Sequence, residues 1–176
     1  MWHSVSSALN RLYVIAGFCS GLLLVGLCSM ILYSIAGRLF GLYLGGVNDL
    51  AGYVMATSTF LALSYTFRTN GHIRVALLLN RATGPMRRAL ETLCLGIMAA
   101  VICYFAFYMC RLVWFSYDFH ERSEGADAIL LWIPQTPVAI GAVLFAISVV
   151  HLLVETLVDY DRVNPETSDS EGVNEV

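Results

Sequence analysis

The sequence contains no lysine and little charge of either sign. Only 13% of its 176 residues are charged, while 58% are hydrophobic. About a quarter of the residues in an ordinary soluble domain are charged, and a soluble core could not absorb this apolar surplus. The few charges are concentrated in the breaks between long apolar runs. This layout predicts a protein that crosses a membrane several times.

The motifs that carry catalytic chemistry are also missing from the sequence. The five cysteines form no C-x-x-C pair, and no glycine-rich phosphate loop follows a strand pattern. His151 and Glu155, one helical turn apart, are too few ligands for a metal site. His120-Glu121 lacks the second histidine of a zinc-protease helix. We therefore predict no enzymatic activity and no cofactor, and we interpret the cysteines as small buried apolar side chains.

Four apolar runs are long enough to cross a bilayer as helices. A hydrocarbon core of roughly 30 Å takes about 20 helical residues, and helices satisfy every backbone polar group within lipid. The predicted fold class is all-α, an integral membrane protein of four helices in one domain over residues 1–158. We expect these helices at about 12–36, 50–67, 92–117 and 128–157. The acidic tail, residues 159–176, is predicted to be disordered.

The arginines predict the orientation in the membrane. Half of the ten basic residues lie between the second and third runs: Arg68, Arg74, Arg81, Arg87 and Arg88. By the positive-inside rule this connection faces the cytoplasm, and with four spans both termini face the same side. Part of the connection is expected to be a short amphipathic segment along the interface, with Arg74 and Arg81 on one face. Pro85 should occupy the first position of a helix that leads into the third span.

The interiors of the four runs contain no acidic or basic side chain. Transporters that move ions themselves usually keep ionisable groups at that depth. Arg111, near the outer end of the third run, is expected to extend to the interface instead. The second run is the richest in Ser and Thr, which we expect to hydrogen-bond a neighbouring helix of this chain or another.

Small residues recur in the runs at close-packing intervals. The pairs are Gly17 and Gly21, Gly52 and Ala56, Gly96 and Ala100, and Ala142 and Ala146. Pairs of this kind allow helix backbones to approach one another, so they indicate a packed bundle.

Two motifs together resemble those of a known transporter family. Asn70-Gly71-His72-Ile73-Arg74-Val75 follows the second run, and Leu131-Trp132-Ile133-Pro134-Gln135-Thr136-Pro137, with Gly141 after it, opens the fourth. In a four-span chain they resemble the DctQ-type small permease subunit of tripartite ATP-independent periplasmic (TRAP) transporters. The similarity covers roughly residues 12–157. Ala76 departs from the family pattern, which often has an acidic residue there.

The resemblance implies a supporting role in transport. In such systems a periplasmic solute-binding protein captures an organic anion or similar solute, and a large DctM-type membrane subunit carries it inward with a sodium gradient. The small subunit, in the bacterial inner membrane, binds no substrate and packs against the fixed scaffold of the large one. Membrane lipids are further expected partners, and nucleic acid is not.

The resemblance and the charge layout also select candidate residues for contact with the large subunit or with lipid. On the cytoplasmic side, Arg74, Arg87 and Arg88 would meet lipid phosphates or the large subunit. Trp132 is equally an interface anchor or a partner contact, and Pro134 and Pro137 are expected in the first turn of the fourth helix. The full candidate set is His72, Arg74, Arg81, Arg87, Arg88, Arg111, Trp132, Pro134, Gln135 and Gly141.

Two alternatives to a transporter subunit remain open at this point. A haem- or quinone-associated anchor subunit of a redox complex would hold a b-type haem between paired histidines. His72 and His151 fall on one predicted side, but both lie at helix ends beside charged neighbours. A small exporter acting alone would need a membrane-embedded carboxylate, and none lies at depth in the four runs, since Glu155 is at the end of the fourth.

Overall fold

Four long helices account for most of the residues that the structure describes. The computed structural model describes residues 2–41, 46–68, 85–123 and 128–158. Helix α1 is Trp2–Leu39, α2 is Val47–Arg68, α3 is Pro85–Asp118 and α4 is Trp132–Val158. Each contains a stretch long and apolar enough to cross a membrane. The predicted all-α, four-helix membrane protein is confirmed.

Helices α1, α2 and α3 are longer than the apolar runs that predicted them. Helix α3 begins at Pro85, as predicted, and its 34 residues give a length of about 51 Å. Because a bilayer core is only roughly 30 Å thick, part of this helix projects beyond the lipid tails. Helix α4 begins at Trp132, four residues later than expected, because residues 129–131 pair with residues 121–123 instead of continuing the helix.

The helices lie side by side in the order α1, α2, α4, α3. Helix α1 packs on α2, α2 on α4, and α4 on α3. Half of the apolar span of α4 is buried within the chain, compared with 11% for α1. Helix α4 is therefore the centre of the fold and α1 its periphery. We call the end that carries residues 40, 41, 46, 119–123 and 128–131 the loop face, and the end near Arg68, Pro85 and Val158 the termini face.

The main core is the contact between α3 and α4, where small side chains bring the two helices together. It comprises Leu95, Ala99, Ile102 and Ala106 of α3, Ala142, Phe145, Ala146 and Val149 of α4, and Phe67 of α2. The ring of Phe67 meets that of Phe145 edge-on, with centroids 5.9 Å apart. The pair Ala142 and Ala146 thus serves helix packing as its spacing predicted.

The contact between α1 and α2 is also close. A Cβ atom added to Gly17 would lie 2.8 Å from Cγ of Tyr65. Three residues later the Ser20 hydroxyl donates a hydrogen bond to the carbonyl of Ser58, at 2.8 Å. By contrast, Gly21 has open space beside it. Only one member of this small pair therefore lies at the helix contact.

The hydroxyl groups of α2 mostly bond within their own helix. Thr57, Thr59 and Ser64 donate to the carbonyls of Tyr53, Met55 and Phe60, each four residues earlier, at 2.8–2.9 Å. Within this chain these three hydroxyls therefore bond to their own helix and not to a neighbouring one, and bonds to a helix of another chain stay a prediction. Such internal bonds satisfy a hydroxyl in lipid without any partner.

The cysteines lie mainly on the helix surfaces. Cys19, Cys28, Cys103 and Cys110 are exposed and Cys94 is half-buried. Their interpretation as buried side chains was wrong for these four, because a small apolar side chain is as compatible with lipid as with a core.

Several predictions concern parts of the chain outside the described residues. These are the amphipathic segment with His72, Arg74 and Arg81, and the acidic tail 159–176. The orientation with both termini in the cytoplasm stays a prediction.

Candidate functional site

The connection between α3 and α4 folds into a short clip at the loop face. The Ser123 N–H donates to the Ile129 carbonyl at 2.8 Å, and the Leu131 N–H donates to the Glu121 carbonyl at 3.0 Å. Arg122 and Leu130 form an isolated antiparallel bridge between them. We call residues 121–123 and 129–131 the clip. It sets where α4 begins, and so positions the motif that opens that helix.

Side chains tie the clip to the helices beneath it. The buried Ser116 hydroxyl, in the last turn of α3, donates to Oε2 of Glu121 at 3.0 Å. The Ser123 hydroxyl lies 3.5 Å from Oδ2 of Asp49, in the first turn of α2. The connection between α3 and α4 is therefore in contact with the start of α2. No local sequence pattern signals this contact, since Asp49 and Ser123 are 74 residues apart.

Trp132 is the first residue of α4 and belongs to an aromatic group at the loop face. Its ring meets Tyr117 edge-on, with centroids 5.5 Å apart, and Tyr117 stacks on His120 at 6.4 Å. Phe115 and Phe119 stack nearby in α3 and just after it, at 6.0 Å. Aromatic rings concentrated at one end of a bundle are typical of a membrane interface. Trp132 is half-buried, so part of its ring is available to lipid or to a partner.

The prolines of the motif occupy two different positions in α4. Pro134 is the third residue and lies in the first turn, as predicted. Pro137 is the sixth, inside the helix, so the prediction that it lies in the first turn was wrong. It has no N–H to donate to the carbonyl of Ile133, which weakens the helix there. The Thr136 hydroxyl adds a bond to the Trp132 carbonyl at 2.6 Å in the same turn.

Gln135 and Gly141 face the interior of this chain. Gln135 is only 6% exposed. A Cβ atom added to Gly141 would lie 3.0 Å from Cβ of Phe60 and 3.5 Å from the carbonyl oxygen of Thr57. Glycine is therefore needed where α4 crosses α2. A role of Gln135 and Gly141 at a subunit boundary stays a prediction. Within this chain, both residues lie on the buried side of α4.

Arg111 lies on the exposed surface of α3, about two turns from its loop-face end. Its guanidinium carbon is 5.2 Å from the centroid of Phe115 and 5.9 Å from that of Tyr108. Contacts of this kind between a cation and an aromatic ring contribute about 0.5–1 kcal/mol at exposed sites. The flanking rings hold the side chain on the surface, where it can reach the interface.

The arginines at the termini face are only partly described. The backbone of Arg87 and Arg88 forms the start of α3, one and two residues after Met86. The structure does not describe their side chains, and His72, Arg74 and Arg81 lie outside the described residues. No acidic residue occupies the first turn of α3. Cations at a helix N-terminus oppose the helix dipole, so this pair does not stabilise the helix on its own.

His151 and Glu155, which the sequence places one helical turn apart, lie toward the termini-face end of α4. Nε2 of His151 is 3.5 Å from Oε1 of Glu155, one turn further along α4. The His151 ring also lies beside the buried ring of Tyr13, with centroids 6.4 Å apart. Tyr13 thereby connects α1 to α4. Among the described residues, no three His, Cys, Asp or Glu side chains gather closely enough to hold a metal ion.

Comparison with known families identifies the fold and its motifs. The family model for tripartite ATP-independent periplasmic transporters, DctQ component, matches residues 27–159. The chain belongs to the DctQ family. The match contains both sequence motifs, so the resemblance drawn from them is confirmed. As a DctQ component, the chain is a small multi-pass membrane subunit of a TRAP transporter. Comparisons with curated proteins and with solved structures gave no match.

Proposed function

We propose that this DctQ subunit is a stationary part of a TRAP transporter. The transporter uses a sodium gradient to drive the uptake of a small organic acid. It packs against the large permease subunit and stabilises it, while a periplasmic binding protein delivers the solute. The observation that carries the proposal is the absence of Asp, Glu, Lys and Arg between residues 12 and 37, 50 and 67, 92 and 110, and 132 and 154. Transporters that move ions themselves usually keep such groups within the membrane.

The burial pattern supports a role in association. Helix α1 buries little of its span within the chain, and α3 packs only one side against α4. The opposite side of α3 presents exposed apolar residues, among them Leu93, Ile97, Val101 and Tyr104. Both outer helices therefore offer a long apolar surface to lipid or to another membrane subunit. The proposal places the large subunit on one of these surfaces and lipid on the other.

The arginines at the start of α3 supply the second line of support. Because Arg87 and Arg88 oppose the dipole of their own helix, their favourable partner is an anion outside it. Lipid phosphates or acidic groups of the large subunit meet that requirement, and each arginine near an anionic surface contributes about 1 kcal/mol. In this proposal the termini face lies at the cytoplasmic side of the bacterial inner membrane, in agreement with the positive-inside rule.

Reconstitution tests the transport role directly. Liposomes containing the large subunit, supplied with binding protein and an inward sodium gradient, should take up a labelled dicarboxylate or sugar acid only when the DctQ chain is present. Liposomes containing the DctQ chain alone should take up neither. Sodium-driven uptake by the chain alone would overturn the proposal.

Substitution at the two faces tests the proposed contacts. The double variant Arg87→Gln with Arg88→Gln should retain several-fold less large subunit on purification, whereas Arg11→Gln, an exposed arginine of α1, should retain the normal amount. Trp132→Ala and Arg111→Met test the loop face in the same assay. Normal retention and uptake in all of these variants would show that the candidate residues are not contact residues. A reporter fused after Glu124 should be active only in the periplasm.

A further inference from the structure

A cavity of about 470 Å³ opens between α2 and α3 at the loop face. These two helices both pack on α4, and they meet each other where the rings of Phe60 and Phe105 lie 5.2 Å apart. That ring pair forms the inner end of the cavity. Pro134 and Val138 of α4 form its back. The space is therefore a consequence of the helix order, in which α4 separates α2 from α3.

The depth of the cavity matches one leaflet of a membrane. Asp49 lines its mouth and Phe60 its inner end, and both lie on α2. The helical rise over the intervening residues is about 16 Å. Half of a hydrocarbon core of roughly 30 Å is about 15 Å. An acyl chain of a phospholipid extends through this depth, whereas no single protein side chain does.

The chemistry of the cavity changes along its depth. The walls are mostly apolar, and an alkyl chain needs no hydrogen-bond partner there. The volume lies within the range of roughly 300–1,000 Å³ typical of small-molecule sites. The mouth carries the Asp49 carboxylate and the Ser123 hydroxyl, 3.5 Å apart. A carboxylate at headgroup level favours a cationic group and disfavours an anionic one.

Gly52, which lines the cavity, is not required by any close contact within the described part of the chain. A Cβ atom added to Gly52 would meet nothing within 4 Å, and the backbone of Gly52 is ordinary helix. Glycine inside a helix costs up to about 1 kcal/mol relative to alanine. Gly141, by contrast, is required by the close approach of Phe60. Gly52 and Ala56 keep open a space that the chain itself does not fill.

We propose that this cavity binds one acyl chain of a phospholipid with an amine headgroup, with the ammonium group beside Asp49. The lipid fills the gap between α2 and α3 and fixes the spacing of the helices around α4. The bound lipid thereby becomes a structural part of the loop face.

Native mass spectrometry of the full-length chain, extracted in mild detergent with the subunits it retains, tests the proposal. The wild-type chain should carry one phospholipid, and Gly52→Phe, which fills the cavity, should carry at least ten-fold less. Gly96→Phe is the matched control, because Gly96 also has open space beside it but lies on α3 away from the cavity. This control should carry the wild-type amount.

The headgroup is tested with nanodiscs that contain equal amounts of phosphatidylethanolamine and phosphatidylglycerol. The wild-type chain should retain the former preferentially, and Asp49→Asn should retain lipid without that preference. Circular dichroism checks that Gly52→Phe is folded, and Ala56→Leu replaces it if it is not. The proposal would be overturned if Gly52→Phe carried as much lipid as the wild-type chain, or if Gly96→Phe lost as much lipid as Gly52→Phe. It would also be overturned if the wild-type chain carried no lipid and Gly52→Phe lost the large subunit.

Discussion

Helices α1 and α4 are similarly apolar in sequence but differ greatly in how they pack. Half of the span of α4 is buried within the chain, and only about a tenth of that of α1. Lipid is as apolar as a protein core, so hydrophobicity decides that both helices enter the membrane but not what surrounds them there. The difference arises from where small side chains allow a close approach. Substitutions of glycines that contact another helix, compared with substitutions of glycines that have open space beside them, therefore test this difference most sharply.

The largest effect is expected at the centre of the fold, from Gly141→Leu. The added Cβ would lie 3.0 Å from Cβ of Phe60, an atom fixed to the backbone of α2 that cannot move aside without shifting that helix, and the Thr57 carbonyl oxygen lies 3.5 Å away. Overpacking of this kind costs about 1–3 kcal/mol, and we expect the upper end of that range. Thermal unfolding of the purified chain in detergent would show a lower Tm. The matched change Gly26→Leu on α1, where a Cβ meets nothing within 4 Å, should leave the Tm unchanged. Equal Tm values for the two variants would contradict the contrast between the helices.

A smaller effect is expected from Gly17→Leu, at the contact of α1 with α2. The added Cβ would lie 2.8 Å from Cγ and 3.1 Å from Cβ of Tyr65, so α1 itself would have to shift outward, and a helix with only 11% of its span buried can do so at low cost. The cost should therefore lie near 1 kcal/mol, the lower end of the range for overpacking. The same melting experiment measures it, with Gly21→Leu as the control because that position has open space. A loss as large as that of Gly141→Leu would mean that α1 is held as firmly as α4.

The sequence predicted those features of the fold that follow from solvation and from local chain chemistry. Uncharged runs gave the four spans, and Pro85 marked the start of α3 correctly. The order α1, α2, α4, α3 could not be predicted, because inward and outward helix faces are both apolar in a membrane protein and periodicity carries no signal. The exposed cysteines, Cys19 among them, show the same limit.

The candidate site was predictable only where a motif marked it. The motif around Trp132 and Pro134 led to the correct family, and it marks the start of α4. The clip and the cavity depend on contacts between residues far apart in sequence, such as Asp49 and Ser123, which no local pattern reveals. The start of α4 was expected too early for this reason, since the clip removes residues 129–131 from the helix.

The smallest effect is expected from Ser20→Ala, which removes the hydrogen bond from α1 to the carbonyl of Ser58. Hydrogen bonds between membrane helices contribute on average about 0.6 kcal/mol, because the same groups also find partners in the membrane when the helices are apart. Ser29→Ala is the control, since the Ser29 hydroxyl bonds to the Val25 carbonyl of its own helix. The difference between the two variants in urea or heat unfolding isolates the contact between helices. A difference near zero would mean that the packing of Gly17 against Tyr65 holds α1 in place. A difference above about 1.7 kcal/mol, the upper end for hydrogen bonds between membrane helices, would instead make Ser20 the main attachment of α1.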